Sequence, residues 1–198
     1  MPLYASTAQI KAALRITDSV DDSLVSMAGS AASELIDGYC GRTFGTVTAT
    51  RIFAPLESLV VQVDDLAATP TLVESSSNAD NVFDLTWTSG VDYQMEPLNS
   101  RADGLPWPGT RLRAIKSAWW PAAYGEATVR ITGTFGWPAV PASVTQAAVI
   151  QASRIFARTS SPLGVAGSSD IGVFRVTRAV DPDVAVLLDP YRKMTGTA

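Results

Sequence analysis

The spacing of apolar positions changes twice along this 198-residue chain. It is helical at first, breaks into short alternating runs from Thr46, and turns helical again at Pro141. Ser6 and Gln9 form a capping box that predicts a short helix to about Ile16, with Ile10, Ala13 and Leu14 on one face. Asp18, Asp21 and Asp22 then precede a second helix, favoured by capping and by the helix dipole; their spacing does not fit a calcium loop. In that helix Leu24, Val25, Ala28, Ala31, Ala32, Leu35, Ile36 and Tyr39 make the apolar face. Ser23, Ser26, Ser30, Ser33, Glu34 and Asp37 make the polar one, and Gly41 ends it.

Seven β-like runs follow, TVTATRIF, SLVVQV, TLVES, NVFDLTW, DYQMEP, TRLRAI and ATVRITGTF, separated by Pro, Gly, Asn and Ser as in a small sandwich or barrel. The last alternates cleanly, with Val129, Ile131, Gly133 and Phe135 on one face. Asp64 and Asp65, neighbours that a strand would point to opposite faces, are assigned to a turn. At TFGWPAVP the β pattern stops, because Pro138 and Pro141 lack the donors a strand needs, and Pro141 suits a first helical turn. The helix that follows runs to about Thr159, with Val144, Thr145, Ala148, Val149, Ala152, Ile155 and Phe156 as its band. Ala147, Ile150 and Ala157 lie outside that band, so the helix is expected to be covered on two sides, with its own domain and a neighbouring copy as the candidate covers.

Beyond it, TSSPLGVAGSSD reads as a polar loop, Ile171 to Thr177 as a strand, and Asp181-Pro182-Asp183 as the start of a last helix. Val184, Leu187, Leu188 and Tyr191 form its stripe, Pro190 cuts it short, and YRKMTGTA is left as a basic tail. Such an arm either docks on a partner or packs on its own core. The pattern therefore predicts an α+β fold: N-terminal helices over 1–45, an inserted antiparallel β-domain over 46–137, and a long helix, loop, strand and arm over 138–198.

Composition narrows the chemistry. The chain has no histidine, which removes the commonest general base and zinc ligand, and no cofactor or metal site is expected. Its one cysteine, Cys40, has no partner for an internal disulfide and reads as a core residue. The start lacks the pattern of a signal peptide, so synthesis in a reducing cytoplasm is expected. The uncharged span Ile131 to Ser153 is interrupted by Pro138 and Pro141, which argues against a membrane helix. Net charge is −4, with residues 1–45 carrying 3 basic and 5 acidic groups, 46–137 carrying 6 and 10, and 138–198 carrying 6 and 4. No concentrated basic surface for gripping phosphates is visible. Glu96 near Asp92 is the best acid pair for a hydrolase, and a poor one. Trp107, Trp119 and Trp120 form either a glycan-stacking platform or the core and corners of the β-domain, the latter favoured because no amides or charges accompany them.

The helix DDSLVSMAGSAASELIDGYCGRTF, the segment DYQMEPLN, the joint GTFGWPAVPASVTQAAVIQASRIFAR with SPLGVAG, and the ending DPDVAVLLDPYRK appear in this order. Together they resemble the head-to-tail connector (adaptor) proteins of long-tailed bacteriophages, in the expanded form of actinobacterial phages. The resemblance covers most of the chain and implies a non-catalytic structural protein of the virion head-tail junction, made in the bacterial host. Typically twelve copies form a ring beneath the portal protein. The ring extends the DNA channel, which the genome crosses without specific contacts, and gives a downstream stopper or tail terminator protein a docking surface. It further implies portal contacts from about Ile171 onward, with Phe174, Arg178, Asp183, Tyr191, Arg192 and Lys193 as candidates. The long helix becomes a wall between subunits, with Ile150, Arg154 and Arg158 as candidate interface residues. The competing reading is a β-rich decoration or glycan-binding module that uses the tryptophans.

Overall fold

A computed structural model describes residues 3–55, 57–99, 106–121, 126–158, 165–166, 174–175 and 181–193. The elements in order are α1 (Thr7–Leu14), α2 (Asp22–Cys40), β1 (Thr46–Phe53), β2 (Val60–Leu66), β3 (Leu72–Ser75), β4 (Leu85–Thr86), β5 (Tyr93–Glu96), β6 (Gly109–Ala114) and β7 (Val129–Gly136). They continue with α3 (Ala142–Ala157), β8 (Val165–Ala166), β9 (Phe174–Arg175), α4 (Pro182–Leu188) and a 3-10 turn, Asp189–Tyr191. The chain divides into a helical unit, Met1–Thr43 with Val140–Ala198, and a β unit, Phe44–Ala139.

In the helical unit the capping box forms: the Gln9 backbone N–H donates to Ser6 Oγ at 3.2 Å and the Ser6 N–H to Gln9 Oε1 at 2.7 Å. α1 stops at Leu14, two residues short of the expected end, because Arg15 turns left-handed at φ 58°. The acids before α2 act differently from one another. Asp21 takes the cap position without a side-chain capping bond, Asp18 Oδ1 accepts from the Val20 N–H, and Asp22 pairs with Lys11 of α1.

The buried face of α2 is rotated from the expected one. Val25, Ala28, Gly29, Ala32, Ser33, Ile36 and Cys40 are buried, while Leu24 and Leu35 face solvent. Small size explains the difference. The space beside Gly29 is taken by Ile10 and Leu3, and Ser33 Oγ donates to the Gly29 carbonyl at 2.9 Å while accepting from the Tyr4 N–H at 3.2 Å. Burial pushes the Cys40 thiol up to about 11, so it stays protonated as a core residue near neutral pH. α3 receives α1, α2 and α4 from its own unit. That is why Ala147, outside the expected band, is buried with Val144, Ala148 and Ala152.

The β unit holds one antiparallel sheet in which β7 is the hub. β1 pairs with one edge of β7 over its whole length, and β3, then Leu66 of β2, pair with the other; β2 leads on to β6 and β5, and β3 to β4. A register irregularity between Gln62 and Leu66 lets β2 serve both β6 and β7. Asp64 and Asp65 sit at that irregularity, in a strand and not in the expected turn. The core is Val61, Val63, Leu66, Val73, Tyr93, Leu112, Ala114, Trp120, Val129, Ile131 and Phe135. At the end of β7 Gly136 has φ +110°, and buried Trp137 packs on Phe44 with ring centroids 5.1 Å apart.

Candidate functional site

Of the residues singled out for the portal, Asp183 lies on α4, Tyr191 in the 3-10 turn and Arg192 and Lys193 just after it, and the fold ties this arm to its own core. Asp181 accepts from the Asp183 N–H at 2.8 Å, capping α4, and its carboxylate also pairs with Arg154 of α3. Val184, Leu188 and Tyr191 are buried. The Tyr191 and Ser143 hydroxyls are hydrogen-bonded at 2.9 Å.

The residues after α4 also close the end of α2, where a helix leaves carbonyls without partners. The Lys193 N–H donates to the Cys40 carbonyl at 2.7 Å, the Tyr39 hydroxyl donates to Asp189 Oδ1 at 2.6 Å, and the Arg192 guanidinium lies over the Tyr39 ring. The bond to Asp189 raises the Tyr39 hydroxyl above its ordinary value. Tyr191, Arg192 and Lys193, expected as part of a loose tail, are thus held in place. Asp183, Arg192 and Lys193 stay exposed and form the outward chemistry of the arm.

The other candidates are placed as follows. Phe174 lies in β9, opposite Ala166 of β8, so the stretch expected to be a polar loop contributes one strand of a two-stranded ladder. Arg178 lies outside the described residues. Ile150 is half-buried, Arg154 is engaged by Asp181, and Arg158 is exposed at the C-terminal cap of α3.

In the β unit the carboxylates that the sequence singles out are occupied structurally. Glu96 accepts from Arg111 Nε and Arg113 Nε, each at 2.7 Å, while Asp92 accepts from the Thr88 N–H in the turn before β5. The Arg113 hydrogen bond, outweighing desolvation, holds the Glu96 carboxyl below its ordinary value. Asp64 pairs with Arg51 at 2.7 Å, and buried Asp65 accepts from Trp137 Nε1 at 3.2 Å. No group of three or more His, Cys, Asp or Glu side chains that could hold a metal ion occurs among the described residues. Among them also, no helix is long and apolar enough to cross a membrane.

Glu96 yields a pH prediction. Because its folded-state value is depressed, its contribution is complete above the ordinary carboxylate range and is lost as pH falls through the depressed value. Glu96→Gln is expected to cost about 1–3 kcal/mol at neutral pH and to cost less near pH 3, as read from urea midpoints. An equal cost at both pH values would contradict the assignment.

The tryptophans do not form a platform. Trp120 is buried and stacks on Trp87 at 3.9 Å, Trp107 packs on Trp137 at 4.9 Å, and Trp119 is 67% exposed.

No family model matches the chain, and no curated protein matches it. Solved structures do. A chain in the neck of an empty gene transfer agent (GTA) particle, computed with C6 symmetry, is 16% identical with a TM-score of 0.57, over 100% of this chain and 96% of that one. A chain in the neck of the native particle, computed with C12 symmetry, is 15% identical with a TM-score of 0.52 and the same coverage. A chain in the virion of the native particle is 17% identical with a TM-score of 0.55, covering 98% of this chain and 93% of that one. At such identities the likeness establishes a shared fold, running from end to end of the chain and including both of its units.

Proposed function

We propose that this protein is a structural head-to-tail adaptor of a phage-like particle. Its copies form a ring beneath the portal, extend the DNA channel and give the next neck or tail protein a surface to dock on. The observation that carries this reading is the likeness, over the full chain, to chains from a particle neck computed with C6 and C12 symmetry. Twelve copies follow from that analogy. Such a ring needs head-to-tail contacts between unlike faces of neighbouring copies.

Charge favours passage of DNA over its retention. The β unit carries 10 acidic and 6 basic side chains, and the helical unit 9 of each. A wall crowded with Lys and Arg would bind phosphates, each contact adding affinity and salt dependence. Asp183, Arg192 and Lys193, exposed on the anchored arm, are the residues assigned to the portal. The test is particle imaging of the full chain mixed with purified portal from the same particle. Rings seated on the portal are expected; portals that stay bare at saturating chain would overturn the reading.

A further inference from the structure

β1 and β4 lie at opposite edges of one half of the sheet, in the order β1-β7-β3-β4, and neither outer edge pairs with another strand among the described residues. β1 makes eight consecutive pairs with β7 and none with another strand among the described residues, leaving roughly 26 Å of unpaired backbone. Edge strands in proteins that stay monomeric are shortened, bulged, or guarded by Pro or Lys. β1 has none of these devices. Its register with β7 is unbroken, and its one charge, Arg51, is engaged by Asp64 and the Phe135 ring. Val47 and Ile52 are each 51% exposed.

The opposite edge is incompletely used. The run Asn81–Trp87 has the composition of a strand, yet its ladder with β3 is limited to Leu85 and Thr86, extended by the Trp87 N–H bond to the Val73 carbonyl, while Asn81 turns left-handed and the Val82 N–H donates to Asp80. Val82 is 61% exposed and Leu85 45%. One copy thus carries two unlike open edges, each flanked by uncovered β-branched or aliphatic side chains. That is what a head-to-tail contact repeated about an axis requires.

We infer that β1 of one copy pairs with the Asn81–Trp87 segment of the next, so that the sheet continues from subunit to subunit. The inference rests on the ring reading and specifies its contact. Strand addition gives partners to the outward backbone groups of β1 and of the stretch around Leu85 and Thr86, and it covers Val47 and Ile52 with Val82 and Leu85.

The test is hydrogen exchange on the full chain, free and assembled on portal. Amides in both 46–53 and 81–87 are expected to exchange on the order of tenfold slower or more in the ring. A Val47→Lys, Ile52→Lys double variant, changed only at exposed positions, is expected to keep its melting temperature and lose ring formation. Rings in which both segments exchange as in the free chain, or rings formed equally well by the double variant, would overturn the pairing and leave the ring reading standing. Protection of 46–53 alone, in a species of two copies, would assign β1 to a symmetric dimer and overturn it too. Wild-type chain that forms no ring at all removes the ring reading, and this contact with it.

Discussion

Gly136→Ala is expected to destabilise the β unit by about 3 kcal/mol or more, a large share of the roughly 5–15 kcal/mol that holds a domain folded. Two effects act at this residue. Its φ of +110° is open to glycine and strained for any L side chain. A Cβ would also overlap the Gly45 carbonyl oxygen and crowd Thr46 Cα at 3.2 Å, both of them backbone atoms that cannot rotate away. Gly136 pairs with Thr46 at the first rung of the β1–β7 ladder, so relief would require parting the strands there. Urea unfolding followed by tryptophan fluorescence measures the effect. A loss under about 1 kcal/mol would mean that the strands separate cheaply at that rung. Gly90→Ala is the useful control, because Gly90 has positive φ but nothing within 4 Å of its missing Cβ.

Leu188→Ala is expected to cost about 2–5 kcal/mol, since Leu188 is fully buried where α4 meets its own unit. Val186→Ala, on the exposed side of the same helix, should change little. This contrast bears on how the proposed portal binding is dissected. Truncation after Ala179 would remove Val184, Leu188, Tyr191, the partner of Arg154 and the cover over Cys40 together, so loss of portal attachment would report a damaged core. Substituting Asp183, Arg192 and Lys193 by alanine leaves those buried contacts and isolates the surface. If Leu188→Ala melts within a degree or two of wild type, α4 is a detachable arm and not part of the core.

The run of strands was readable because turn residues punctuate it: β1 begins and ends where TVTATRIF does, and β7 alternates as written. What pairs with what was not readable. The role of β7 as hub depends on contacts far apart in sequence, and the irregularity that seats Asp64 and Asp65 within β2 comes from that strand serving two partners. A hydropathy wheel also rotated α2, because it rewards Leu24 and Leu35 for being apolar and gives Gly29 and Ser33 no credit for being small. Asp37 and Ser33 show the same limit, since each satisfies Tyr4, a residue about thirty positions away that no local pattern connects to them. The anchoring of the arm is not legible in the pattern, because an amphipathic turn of helix has the same spacing whether its stripe covers its own core or a partner. The proposed edge-to-edge contact has no signature in the pattern, because an open strand edge is a property of backbone pairing and not of side-chain type.

The way the last described residues close the end of α2 also bears on the order of synthesis. α2 is made early, but its principal partner α3 lies beyond the whole β unit, and the bond from Lys193 to Cys40 reaches back across that unit and α3. On a ribosome the β unit, contiguous from Phe44 to Ala139, has all its strands available first. The helical unit, although it contributes the earliest residues, is completed only when its final turn has emerged. Inserting a self-contained sheet between α2 and α3 thus delays closure of the helices and makes the arm the last piece to be seated.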